Sequence, residues 1–411
     1  MAQPTKKMVV IIGGGAAGFF CAINLARLRP DLEVHILEKS QQVLSKVKVS
    51  GGGRCNVTHA CFNPEELIEN YPRGGKELLG PFHHFQPADT IQWFEDRGVE
   101  LHTEDDGRMF PVTNSSQTII DCFLREATKY HVHIHFGVQV ESITSVDNAW
   151  KIDCKNQTFH AIAVMMATGS SQQAWSLLKQ LGHTIIPPVP SLFTFHIRDK
   201  RIDGLMGVSI PHVQASLMNT DLITEGPLLI THWGLSGPAI LKLSAWGADV
   251  LAKKQYRASI QINFCPTYDS ASCIDYLRGM RNDHPKKKVV NDHFPTIPSR
   301  LWKQLCAFGN ITENHNWADL SNIMIESFAE ILTSSTLSIN GKSTFKEEFV
   351  TCGGIALNEV NMRNMESRLH PNLYFGGEML NIDAVTGGFN FQAAWTTGWL
   401  AARSIAGNQT S

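Results

Sequence analysis

The chain has 411 residues, 43% hydrophobic and 18% charged, with 36 basic against 38 acidic side chains and a formal net charge of −2. That length exceeds one ordinary core and predicts two or three domains, while the balanced charge gives no electrostatic reason to expect a nucleic acid or an anionic membrane as partner. Nine cysteines (21, 55, 61, 122, 154, 265, 273, 306 and 352) occur without a Cys-x-x-Cys pair, which speaks against disulfides or a zinc site and for a reducing compartment.

Met8–Ile12 is a short, β-branched apolar run, the pattern of a buried parallel strand. Glycines interrupt it from residue 13 to 18, Phe19–Arg29 predicts a helix ended by Pro30, and Glu33–Leu37 predicts the next strand. Residues 8–38 therefore read as one βαβ unit. Lys6 and Lys7 before this apolar stretch imitate a secretory signal, but the glycines inside it have a better use. No apolar run reaches the length of a membrane span, so the expectation is a cytoplasmic protein. Ser40–Gly75 is glycine-rich and reads as a long irregular loop, a length that points to function.

Amphipathic helices are predicted near residues 87–97 and 115–130, and several strands between Val132 and Met166. The texture changes from about residue 190 to 345, where alternating strands (Leu192–Ile197, Val208–Leu217, Ala258–Phe264) mix with helices, one of them at Ala239–Trp246. Glycine-rich, strand-to-helix character returns after Thr351, with a strand at Leu373–Phe375 and a helix from Gly388. The fold class expected is α/β. Residues 1–189 and 346–411 form a discontinuous Rossmann-like domain, and residues 190–345 form an inserted mixed β/α domain on the substrate side.

Gly13-Gly14-Gly15-Ala16-Ala17-Gly18 fits Gly-x-Gly-x-x-Gly between a strand and a helix. The first glycine makes the tight turn, the second lets backbone approach a pyrophosphate, and the third allows close helix–strand packing. The helix start adds unpaired amides and partial positive charge. Alone the pattern is weak. Glu38, with Lys39 beside it, lies twenty residues past Gly18 at the end of the second strand, where a carboxylate accepts both ribose hydroxyls. It disfavours the 2′-phosphate of NADP and leaves FAD or NAD.

Three features favour FAD. The fingerprint occurs once, at the N-terminal end. Ala167-Thr168-Gly169 ends a later strand with small residues. A second turn, Gly376-Gly377-Glu378 followed by Asp383 and Gly387-Gly388 entering a helix, suits a cofactor too long for one βαβ unit. Between these lies Ser50-Gly51-Gly52-Gly53-Arg54-Cys55-Asn56, where three glycines, a cation and an amide suit a loop against phosphates or a flat ring.

Lys46 with Ser50–Thr58, Thr231-His232-x-Gly234-x-Ser236-Gly237-Pro238, and Gly377-Glu378 through Asp383 to Gly387-Gly388-Phe389-Asn390-Phe391-Gln392 resemble a bacterial flavoprotein family that includes aminoacetone oxidase and a reductase of bile-acid metabolism. The resemblance spans Val9 to about Gly398. It implies that Gly13, Gly15, Ala16, Ala17, Gly18 and Glu38 hold the ADP half of FAD. By the same pattern Lys46, Ser50, Gly51, Gly52, Gly53, Arg54, Cys55 and Asn56 line the pyrophosphate and flavin side, and the backbone of Val140 meets adenine. It also implies Glu378 and Asp383 at pyrophosphate and ribityl, and Gly388, Phe389 and Asn390 at the pyrimidine edge. His59, Asn381 and Phe389 depart from the family's asparagine, aspartate and tyrosine. They put substrate chemistry in doubt, not the cofactor.

Other candidates have plainer readings. His131, His133 and His135 alternate and read as one solvated strand face, and His83-His84 has no ligand spacing, so no metal is expected. The lysines at 286–288 read as a solvated face. Trp395 and Trp399, at i and i+4, read as core. Cys55 is a candidate redox or adduct-forming thiol, against a packing role. His232 is a candidate acid or base, against a structural role in its turn. The function expected is an FAD-dependent oxidoreductase of a small organic substrate, working as an oxidase or as a reductase fed by NAD(P)H. The alternatives are a flavin-containing RNA-modification or binding protein and a non-enzymatic structural flavoprotein. No motif sets the oligomeric state.

Overall fold

The computed structural model describes residues 7–146, 149–343 and 350–408. The chain divides into two compact units, residues 1–188 with 351–411, and residues 189–350. The return to the first unit, expected at residues 345–346, lies outside the described residues.

The first unit is organised by a seven-stranded sheet. Its strands in chain order are β1 (Met8–Ile12), β2 (Glu33–Glu38), β3 (His133–Phe136), β4 (Ala163–Met166), β5 (Val360–Asn361), β6 (Glu366–Ser367) and β7 (Leu373–Phe375). Their spatial order is β5-β6-β7-β4-β1-β2-β3. The five strands from β7 to β3 are parallel, with Val10 opposite His35 on one side and Val164 on the other. Such strands are buried on both faces, and the continuous apolar runs of β1 and β4 suit that position. From β1 the chain first builds outward through β2 and β3, then returns to the other side of β1 with β4. The carboxyl ends of β1 and β4 are thus a topological switch point, where open α/β sheets bind ligands.

Helix α1 (Ala16–Leu28) follows β1, α2 (Ser116–Lys129) precedes β3, and α3 (Phe389–Asn408) ends the described chain. The side-chain oxygen of Ser115 caps α2, and its apolar stripe, including Ile119, Ile120, Phe123 and Ala127, is buried. Helices α1 and α3 meet through small residues. A Cβ at Gly398 would come within 2.7 Å of the Ala17 carbonyl oxygen, so glycine sets how closely the helices approach. Around that crossing Phe20, Trp93, Phe123 and Trp395 form an aromatic core, with ring centroids of Phe20 and Trp395 5.3 Å apart. Trp395 is fully buried, and its indole N–H donates to the Val57 carbonyl.

The second unit carries a six-stranded antiparallel sheet. Its order is Phe195–His196, Gly234–Ser236, Ile223–Ile230, Ser209–Leu217, Arg257–Asn263 and Ser335–Asn340. Helices Pro238–Trp246, Ser270–Asp283, Ser299–Phe308 and Asn322–Thr333 accompany it, and Trp302, Trp317 and Phe328 lie in its core.

Several expectations change. The region from Ser40 to Gly75 is not one loop: it holds helices at Ser45–Gly53 and Pro64–Ile68, and another begins at Gly75. The first kinks at Ser50–Gly52, where Gly51 and Gly52 take φ of +58° and +68°. The strand expected at Leu192–Ile197 is reduced to Phe195–His196, because Leu192 sits in the left-handed region at φ +57°. The histidines of β3 are not one solvated row: His131 lies outside the strand, while His133 and His135 stack on the buried His35 at 4.6 and 5.2 Å. Among the described residues no group of three ligating side chains could hold a metal, and no helix is long and apolar enough to cross a membrane.

Candidate functional site

The turn after β1 separates the three glycine roles. A Cβ at Gly13 (φ +112°) would lie 2.4 Å from the Ala167 carbonyl oxygen, and one at Gly18 would lie 2.1 Å from that of Gly13. Both positions are therefore fixed by packing. At Gly15 the nearest atom to a Cβ is 3.9 Å away, so its outer side is open. Glu38 ends β2 beside this turn, accepting from the Gly14 N–H at 2.8 Å and the Ser40 N–H at 2.9 Å. Each carboxylate oxygen keeps a lone pair for a further donor.

A small cleft at the carboxyl ends of β1, β2 and β4 is lined by Gly13, Glu38, Lys39, Val140, Thr168 and Gln173. The Thr168 hydroxyl in this lining is buried and has no hydrogen-bond partner among the described residues. Gln173 carries no sequence signal for a site, yet its amide donates to the Val140 carbonyl at 3.1 Å and accepts from Gln139 at 2.9 Å.

The 50–56 segment turns back on itself. Cys55 N–H donates to the Ser50 carbonyl at 3.0 Å, and the Ser50 hydroxyl to Val47 at 2.9 Å. Gly52 (φ +68°) and Gly53 (φ +84°) have nothing within 4 Å of a would-be Cβ, which leaves their backbone open to an approaching group. Arg54 is held 2.6 Å from Glu104 and 4.0 Å over the Phe110 ring. The Cys55 thiol is fully buried, and desolvation pushes its pKa up to about 12 against a smaller lowering by a hydrogen bond to Ser50. It is a protonated thiol at neutral pH, which favours packing over nucleophilic chemistry. Asn56, with its amide turned to satisfy its neighbours, donates to Thr58 O at 3.0 Å and Met109 O at 3.3 Å and accepts from Gly388 N at 3.0 Å.

The C-terminal elements fold onto the same region. Gly377 (φ +66°) brings its backbone against Ala17 at the start of α1, where a Cβ would lie 3.2 Å from that of Ala17. Glu378 forms an ion pair with Lys46 and also lies beside Gly169. Asp383 is fully buried and paired with Arg73 through both carboxylate oxygens, so its side chain serves this bridge. Asn390 accepts from Ala384 N at 3.0 Å and donates to Ala384 O at 3.1 Å, bracing the turn before α3. Gly387 and Gly388 take φ of +135° and +92°, and a Cβ at Gly388 would lie 2.5 Å from Thr58 O. Arg73, Gln173 and Tyr71 (whose hydroxyl donates to Phe389 O at 2.6 Å) have no motif around them, so only tertiary structure identifies them.

Residues distant in sequence thus gather in the first unit: the 13–18 turn, Glu38, Lys46, the 50–56 segment, Val140, the 167–169 turn, Gly377–Glu378 and the start of α3. An open glycine backbone, a carboxylate beside the first turn and an unpartnered buried hydroxyl fit an extended dinucleotide.

In the second unit Thr231–Gly234 is a closed turn, with Thr231 N–H donating to Gly234 O at 2.8 Å and its hydroxyl accepting from Trp233 N–H at 3.2 Å. His232 is exposed on this turn with its ring 4.5 Å from that of Trp233, which stacks on His196. The turn gives His232 a structural setting, and Gly237 (φ +93°) starts the helix that follows.

The family described as HI0933-like protein Rossmann domain matches residues 7–404. The chain is 28% identical to a ribosomal RNA dihydrouridine synthase of Escherichia coli over 98% of both chains. It is 27% identical to the 3-dehydro-bile acid delta(4,6)-reductase of Clostridium scindens, over 96% of this chain and 98% of that one. Among solved structures, a 3-ketosteroid-delta4-(5alpha)-dehydrogenase from Rhodococcus jostii RHA1 aligns with a TM-score of 0.51 at 12% identity, over 99% of this chain and 98% of that one. A flavocytochrome c3 fumarate reductase aligns with a TM-score of 0.51 at 14% identity, over 100% and 80%. Those two identities speak for the shared fold alone.

Proposed function

The chain belongs to the HI0933-like Rossmann family, and from that premise we propose that it is an FAD-dependent oxidoreductase that reduces a carbon–carbon double bond conjugated to a carbonyl. The observation that carries the cofactor is the glycine turn at the switch point, closed at Gly13 and Gly18, open at Gly15, and flanked by the Glu38 carboxylate. Glu38 would hold the ribose of the ADP half and the start of α1 its pyrophosphate. Lys46 and the open backbone of Gly52–Gly53 would meet the rest of the phosphate side, and the turn entering α3 the flavin ring. Bound FAD supplies two-electron hydride transfer, and NAD(P)H is the proposed source of those electrons.

The reaction type is supported by what the relatives' names have in common. One forms dihydrouridine in ribosomal RNA, the other reduces a delta(4,6) 3-dehydro bile acid. Both names denote saturation of a carbon–carbon double bond conjugated to a carbonyl, formally the addition of a hydride and a proton. In this chain burial holds the Cys55 thiol protonated, which disfavours it as a nucleophile.

Two substrate classes remain to be separated by experiment. The balanced charge favours a small organic enone. A uracil base in RNA is the second reading, favoured by the 28% identity to the ribosomal RNA enzyme over nearly the whole chain. Anaerobic reduction of the purified protein with NADH and NADPH, followed by mixing with a 3-oxo-Δ4 steroid or with unmodified ribosomal RNA, decides between them. Reoxidation by one substrate with a saturated product supports this function. A flavin that no such acceptor reoxidises contradicts it.

A further inference from the structure

His59 stands next to Thr58, whose carbonyl Gly388 approaches too closely for any side chain. Its imidazole lies on the Phe389 ring with centroids 4.5 Å apart and planes 30° from parallel. Its Nδ1 is 3.1 Å from the Gly387 carbonyl oxygen. A carbonyl only accepts, so Nδ1 carries the proton and the tautomer is set by this contact. At the Nε2 end of the ring a Cβ at Gly107 (φ +86°) would fall 2.5 Å from Nε2, so a glycine there leaves room for the imidazole. The ring is thereby fixed by a hydrogen bond to the turn, a stacked aromatic and a facing glycine. Phe389 is itself anchored through its backbone carbonyl, which accepts from the Tyr71 hydroxyl at 2.6 Å.

We infer that His59 is a positioning residue for the flavin. By donating to Gly387 and backing Phe389, it fixes the direction in which the first N–H groups of α3 point. Those groups have no partner inside the helix and carry its partial positive charge. Held in direction, they stabilise the negative charge that a flavin ring gains on reduction. The inference rests on the proposed placement of FAD at the turn entering α3, and it concerns electron affinity as well as binding.

The test compares His59→Ala and His59→Asn with the wild-type holoprotein. Asparagine bears its amide nitrogen on Cγ, as histidine bears Nδ1, so it can make the same donation to Gly387. The flavin midpoint potential at one fixed pH and the FAD dissociation constant are read for each. The expected result is a lower potential and an FAD affinity weakened by up to about tenfold in His59→Ala, the worth of one neutral hydrogen bond, with both partly restored in His59→Asn, which keeps the donation and loses the stack. A wild-type potential in FAD-loaded His59→Ala overturns the inference, and so does His59→Asn behaving like His59→Ala. Should His59→Ala fail to fold, Phe389→Leu removes the surface beneath the imidazole and must lower the potential in the same direction; no change there overturns the inference equally. A wild-type protein that takes up no FAD would instead refute the underlying cofactor reading.

Discussion

Lys46 and Glu378, 332 residues apart in sequence, form an ion pair where the N-terminal and C-terminal segments of the first unit converge. The lysine side chain is 56% exposed and that of the glutamate 20%, so the pair adds only about 0–1 kcal/mol to stability. Its value lies in placing a cation beside the glycine turns. Lys46→Met is expected to leave the thermal midpoint within roughly 4 °C of wild type. It should weaken FAD binding about ten- to hundredfold, as the loss of a charge-assisted contact does. Thermal unfolding of the apoprotein and FAD titration check the two halves separately.

The glycines of the first turn should divide by mechanism. Gly15→Leu meets open space and an ordinary backbone angle, so the protein should fold and fail to retain FAD. Gly18→Ala places a methyl 2.1 Å from the Gly13 carbonyl oxygen, so it should destabilise the fold itself. Chemical denaturation beside flavin content distinguishes the outcomes; a Gly15→Leu protein with full flavin would misplace the pyrophosphate.

Asp383 tests a reading that residue type alone cannot make. Its buried carboxylate is held by Arg73, so Asp383→Asn leaves a guanidinium uncompensated and should cost about 3–5 kcal/mol. Urea unfolding measures this. A variant of wild-type stability that has lost FAD would show the carboxylate to be a cofactor ligand instead.

The histidine stack gives a pH dependence with a definite sign. Burial first, then repulsion from His133 and His135, lowers the His35 pKa to about 4, against a weaker opposing pull from Glu33. The folded protein therefore keeps His35 neutral while the unfolded chain protonates it near pH 6.5. Its contribution is intact above about pH 6.5 and is lost as pH falls towards 4, on the order of 1–3 kcal/mol in all. His35→Phe should lose less stability between pH 7 and 4.5 than wild type. Equal losses in the two proteins would remove the stack from the acid response.

How much of this was legible in sequence follows from which interactions are local. The βαβ unit, the start of α3 and the glycine turns were legible because strand runs, helix breaks and positive-φ glycines are fixed by neighbouring residues. The kinked helix at Ser45–Gly53 was hidden by those same glycines, since three in a row read as loop wherever they occur. Arg73 and Gln173 were invisible because their partners lie 310 and 33 residues away with no motif between. The stacking of His59 on Phe389 joins two segments far apart in the chain, a relation that neither residue suggests alone.

The central claim is tested most directly by the flavin itself. The purified protein should be yellow, and denaturation should release FAD in an amount close to equimolar with the chain. Release of FMN, or a colourless protein that cannot be reconstituted with FAD, would contradict the account.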